Sequence, residues 1–142
     1  MARFSVDYLD VVQALLRQEL PGVNVFTKIP DGVPEYCPLV VIRRVGGDSP
    51  APEFYDGPWL NVQCWAAEDR ANGIDADRAA SDLADAVRGV LWRAYRTQKV
   101  VSGLGWINYI RESSAPQEIP DRDLPYHGRY TATYELRVRP AA

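Results

Sequence analysis

Between Ser5 and Leu20 the apolar residues Val6, Leu9, Val12, Leu16 and Leu20 recur at steps of three and four. That is the spacing of one buried helix face. Ser5 stands where an N-cap is expected and Pro21-Gly22 where the helix should stop. A second helix is predicted from near Asn72, where Asn72 and Asp75 resemble a capping box. Its buried stripe reads Ala76, Ala80, Leu83, Val87, Leu91 and Ala94. Asp75, Asp77, Asp82 and Asp85 crowd the early turns of this helix, and Arg88, Arg93 and Arg96 the late ones. Such a distribution complements the helix dipole, so helix stability alone accounts for these charges.

The remaining pattern is that of strands. Val23–Thr27 reads as a short strand, and Leu39–Val45 as a longer one whose continuous apolar start implies burial on both faces. From Trp59 to Ala67 the pattern alternates, with Leu60, Val62, Cys64 and Ala66 on one side and Trp59, Asn61, Gln63 and Trp65 on the other. A strand is expected over Val100–Glu112, interrupted at Gly103 and Gly105 by a bulge or a close approach. Arg129–Arg139 alternates strictly, with Tyr130, Ala132, Tyr134, Leu136 and Val138 facing one way. The order α-β-β-β-α-β-β predicts an α+β fold: a mostly antiparallel sheet with two helices packed on one face. Ile29–Pro38, 46–58 and 113–128 are rich in proline and read as loops, the second as a long loop or an extended hairpin tip.

A length of 142 residues suits a single domain over 1–142. The net charge of −3 argues against tight nucleic-acid binding, which draws its affinity from neutralising phosphates. Nothing in the first residues resembles a signal peptide, and no stretch is long and apolar enough to span a membrane, so a cytoplasmic protein is expected.

The search for chemistry is short. Cys37 and Cys64 lack metal-ligand spacing and read as buried, reduced thiols. His127 is the only histidine and has no local nucleophile signature. Gly46-Gly47 and Gly103-Leu104-Gly105 do not match a phosphate-binding loop. Asp121-Arg122-Asp123 pairs its carboxylates around an arginine that offsets their charge, and reads as a solvated loop. No catalytic residue, cofactor or metal is therefore expected.

What stands out is aromatic and charged side chains in stiff segments. Asp48, Phe54, Tyr55, Asp56 and Trp59 lie in or beside the 46–58 segment, and Asp121 and Tyr126 in the 113–128 segment. Rigid rings lose little entropy on docking, so these are candidate protein contacts, together with Trp65 and the strand arginines Arg43, Arg137 and Arg139.

The layout resembles the tail terminator proteins of long-tailed (siphovirus-type) bacteriophages, particularly those of actinobacterial hosts. The resemblance rests on the opening helix, Val25-Phe26-Thr27-Lys28-Ile29-Pro30, and Pro38 to Gly47. It continues through Leu60-Asn61-Val62-Gln63-Cys64-Trp65-Ala66, the helix over Asp77–Leu91 and the final alternating strand, and so covers nearly the whole chain. It implies a structural virion protein assembled in the host cytoplasm, a homohexameric ring at the head-proximal end of the tail tube. Its implied partners are the tail tube protein and the head's connector or stopper proteins. DNA would only pass through a lumen lined by the sheet, which the acidic balance of the chain suits. The family has no catalytic residues to carry over. Two lysines among many arginines fit a GC-rich coding genome. The alternatives are another neck component, such as a head-closure or connector-adaptor protein, and a small ligand-binding or hydrolytic α+β domain.

Overall fold

The computed structural model describes residues 4–120 and 127–141. The first helix, α1, spans Tyr8–Glu19 and is capped by Asp7, whose side chain accepts from the Asp10 amide. The helix therefore begins later than the expected Ser5. Its buried face is Tyr8, Val11, Val12, Leu15 and Leu16, while Leu9 and Leu20 pack only at the flanks. Taking Val11 and Leu15 into the core puts two adjacent apolar positions per turn against the sheet, a wider stripe than one residue per turn supplies.

The long helix, α3, spans Ala76–Thr97 and follows the short α2 described below. The expected box at Asn72 does not start it. Asp69 instead caps a short 3-10 turn over Arg70–Asn72, and Gly73, at φ +66°, closes that turn in the left-handed region. The chain must then restart its helix, and Asp75 does so by accepting from the Arg78 amide at 2.7 Å. Ala80, Leu83, Ala84, Val87, Val90, Leu91 and Ala94 form the buried stripe.

Five strands, β1 (Asn24–Phe26), β2 (Leu39–Ala51), β3 (Tyr55–Ala67), β4 (Gly105–Glu118) and β5 (His127–Pro140), form one sheet in the order β1-β2-β3-β5-β4. β1 pairs parallel to β2 and every other neighbouring pair is antiparallel. Both long helices lie on one face, over a core that includes Val40, Ile42, Leu60, Val62, Tyr134 and Leu136. The alternation expected in β3 and β5 is the one observed.

Much of what reads as loop is strand. β2 and β3 continue through 46–58 as an arm that turns only at 52–54, where the Phe54 amide donates to the Ala51 carbonyl. The Gly46-Gly47 pair is a bulge rather than a stop. The register shifts between Arg44 and Gly46, and a side chain at Gly47 (φ +103°) would collide with the backbone of Gly57 and Pro58. β4 likewise runs on to Glu118, paired with β5 through further register shifts. Pro50 and Pro116 are tolerated because a strand with a free edge has amides that need no partner. Residues 121–126, the rest of the second expected loop, lie outside the described residues.

The opposite face is covered only at one end. There Leu39, Val41 and Trp65 form a second buried cluster under Phe26, Val33, Tyr36 and Cys37. The covering segment includes a four-residue helix, α2 (Val33–Tyr36), inside the stretch read as loop. Leu39 to Ile42 are thus buried on both faces, as their unbroken apolar run implied. At Gly105 the expected close approach is present, because the Arg139 carbonyl occupies the space a side chain would need.

Candidate interaction surfaces

Besides the pairing of β3 with β5 at Asp56 and Trp59, further contacts fasten the distal arm. The Val6 amide donates to the Pro52 carbonyl at 2.8 Å. Arg44 on β2 donates to the Asp56 carboxylate on β3 at 2.6 Å. The same guanidinium lies over the Tyr8 ring of α1, 5.4 Å from its centroid. Burial raises the Tyr8 hydroxyl above its ordinary pKa, and the nearby Arg44 charge opposes that rise.

These contacts sort the candidate residues. Asp56 is only 4% exposed and turns inward to Arg44, so it is a structural anchor and not a contact offered to a partner. Asp56 on the inward side of the arm meets Arg44, which alternation with Ile42 also sends inward. Trp65 is also buried, because Leu39 and Val41 give it apolar neighbours and α2 covers all three. Arg129 stacks over its ring at 4.9 Å. Phe54 at the turn and Trp59 on the arm stand 62% and 46% exposed, with Val45 nearby in sequence at 55%. Tyr55 is half-buried under Arg139, and Asp48 is exposed. Asp121 and Tyr126 lie outside the described residues.

Arg43, Arg137 and Arg139 share the face of the sheet opposite the two long helices. Cross-strand pairs lie on one side of an antiparallel ladder, and the pairs run Arg43–Asn61–Thr133, Trp59–Glu135–Arg111, Arg137–Tyr109 and Arg139–Trp106. A polar strip crosses the middle of this face. Asn61 Nδ2 donates to Thr131 Oγ1 at 2.8 Å, Gln63 Nε2 to Asn61 Oδ1 at 3.1 Å, and Arg129 to Gln63 Oε1 at 2.6 Å. Toward the arm the face dips into a groove walled by Trp59, Tyr109, Arg111 and Arg137, with Gly47 and Gly57 among its lining. Tyr109 and Arg111 were not singled out from the sequence. Their signal was present, since they alternate with Ile110 in a segment already read as strand.

Chemically the molecule offers little else. The Cys64 thiol is buried in the main core, and desolvation pushes its pKa up to about 12. Cys37 is only half-buried, at the end of α2, where its thiol donates to the Val33 carbonyl. Burial also raises the Tyr134 hydroxyl well above its ordinary value. His127 is half-buried at the start of β5. Among the described residues no group of histidine, cysteine and carboxylate side chains could hold a metal ion, and no helix is long and apolar enough to cross a membrane.

An arm and a sheet face left open over much of its length suit an assembling subunit. Residues 5–142 match the family model described as phage tail termination protein. The chain belongs to that family. No curated protein matches it. As a tail terminator the chain has a structural role in the phage tail and a place in the virion. The α+β fold, a mostly antiparallel sheet with its two long helices on one face, agrees with the fold that the resemblance implied.

Proposed function

We propose that this tail terminator works as one domain in a ring of six copies at the head-proximal end of the tail tube of a long-tailed phage. The ring ends tube-protein polymerisation and presents a surface to the connector proteins of the head. Assembly takes place in the host cytoplasm, and DNA passes through the central channel.

The observation that carries this reading is a pair of unlike open edges. Among the described residues, β1 covers β2 only from Leu39 to Val41, and no strand borders the outer edge of β2 from Ile42 to Ala51. At the other side of the sheet, β4 bridges to Val101 at Gly105, and beyond that its only strand partner among the described residues is β5. Long open edges invite strand addition. Edges made of different strands favour a head-to-tail contact, and such a contact closes a ring when the rotation between copies allows it. Exposed Phe54, Trp59 and Val45 on the arm supply the apolar part of the contact to a neighbouring copy.

Deleting the gene tests the reading. Without a terminator, tails grow beyond normal length and fail to join heads. Tails of normal length, joined to heads in the deletion strain, would sink it. Light scattering on the purified chain gives the copy number, and a chain that is monomeric before the tail arrives is compatible with assembly on the tube.

A further inference from the structure

The charge of this chain is not spread evenly over its surface. On the sheet face opposite the two long helices stand Arg43, Arg111, Arg137 and Arg139, opposed there by Asp48 and by Glu135, which pairs with Arg111 at 3.6 Å. Glu35 belongs to the α2 segment that covers one end of this face, and many of the other described carboxylates lie on the helix side. Asp56 and Glu112 turn toward the helix side to meet Arg44 and Arg88, and Asp75, Asp77, Asp82 and Asp85 belong to α3 and its cap. Among the described residues, no carboxylate forms an ion pair with Arg43, Arg137 or Arg139. Arg137 and Arg139 are held instead over the rings of Tyr109 and Tyr55, at 5.2 and 5.5 Å. A ring under a guanidinium fixes the side chain without neutralising it, and its N–H donors stay free for an anion.

We infer that this sheet face contacts the phosphate backbone of double-stranded DNA through Arg43, Arg111, Arg137 and Arg139. The inference rests on the ring reading and adds to it that this face turns toward the channel; it replaces the expectation of an acidic, purely passive lumen. The contact is non-specific, because nothing on the face enters a groove: the centre is the flat strip of Asn61, Gln63, Thr131 and Thr133, whose polar atoms bond largely to one another. That strip also argues against a protein partner seated on the middle of the face, since stable protein interfaces centre on a desolvated apolar core. Phosphate contact that reads no base edge gives a weak, salt-sensitive hold that DNA can slide over.

The test is fluorescence anisotropy of the purified full chain with a mixed-sequence DNA duplex, titrated at about 50 and about 200 mM salt. The wild type binds at low salt and releases as salt rises. The triple variant R43Q/R137Q/R139Q binds at least about tenfold more weakly, with a salt slope smaller by about three. Arg43→Gln alone, at an exposed position, gives a partial loss, and a thermal melt verifies that each variant is folded. Absence of wild-type binding at low salt overturns the inference, as does a triple variant that binds like wild type. So does equal binding of poly-glutamate at the same salt, which would assign the face to an acidic protein.

Complementation of the deletion strain separates this inference from the ring reading. With the triple variant, tails of normal length join heads, but infectivity falls as genome delivery slows. Over-long tails with the variant would assign the face to the tube and overturn the DNA contact, leaving the terminator reading intact. Normal tails in the deletion strain itself would remove the terminator reading, and the anisotropy result would stand on its own.

Discussion

Asp56 on β3 receives a hydrogen bond of 2.6 Å from Arg44 on β2, and the carboxylate is almost wholly buried while the guanidinium side chain stays 33% exposed. The pair fastens the two strands of the arm on the side facing α1. Removing one partner strands the other. Asp56→Ala is therefore expected to cost about 2 kcal/mol, the worth of a charge-assisted hydrogen bond, reduced from the fully buried case because Arg44 keeps some contact with water. Urea unfolding measures the loss, and a change below about 0.5 kcal/mol, the level of an ordinary surface substitution, would show that the pair does not hold the arm.

Gly47 makes the second prediction. Its backbone is left-handed and its missing side chain is the space taken by Gly57 and Pro58. Gly47→Val should destabilise by about 2 kcal/mol or more, through strain and a displaced bulge. Limited proteolysis should then cut within 48–55 faster than in the wild type. An unchanged cleavage pattern would mean that the arm does not depend on the bulge.

The cap of α3 discriminates between two starting points for the helix. Asp75→Ala should cost about 1 kcal/mol, because the Arg78 amide loses its acceptor. Asn72→Ala should cost less, since Asn72 closes only the short turn capped by Asp69. The reverse order in thermal melts would restore Asn72 as the start of the helix.

Alkaline pH gives the fourth prediction. The Cys64 thiol is held protonated in the core, with its pKa raised from 9.0 to about 12, and Tyr8, Cys37 and Tyr134 are raised by burial too. In each case the folded state holds the proton more tightly than the unfolded chain. The stabilisation from Cys64 is complete below about pH 9 and disappears as pH climbs toward 12. Urea midpoints should fall across that window, and Cys64→Val should make the fall shallower. A thiol-reactive chromophore should label Cys37 first, with Cys64 reacting only when the chain unfolds. A fast reaction at Cys64 in the folded protein would contradict its burial.

Legibility followed the range of the interaction responsible. The inward row from Tyr130 to Val138 and the two-sided burial of Leu39 to Ile42 were readable because alternation and an unbroken apolar run are local consequences of where a strand sits. The arm was not. Its glycines and prolines argue for a turn, and only pairing with a partner strand decides that Gly46-Gly47 bulges instead of stopping. The inward side of Asp56 escaped for the same reason, since it depends on Arg44 across the hairpin. Helix starts were misplaced by a few residues, because Ser5 and Asn72 can cap as well as Asp7 and Asp75 until tertiary packing chooses. The arginines of the open face were individually visible. Their gathering on one side required the strand order.

The strand order has a consequence for folding kinetics. β2 with β3, and β4 with β5, are each joined by neighbouring chain, so either pair forms by closing a short loop. The seam between β3 and β5 is different: Asn61 meets Thr133 across a separation of 72 residues, with the whole of α3 in between. Closing that loop carries the largest entropic cost in the sheet, and pairings of such range slow folding. The four long strands are thus two hairpins sewn together along one line, and the Asn61 amide, reaching Thr131 and Thr133, is a stitch in it.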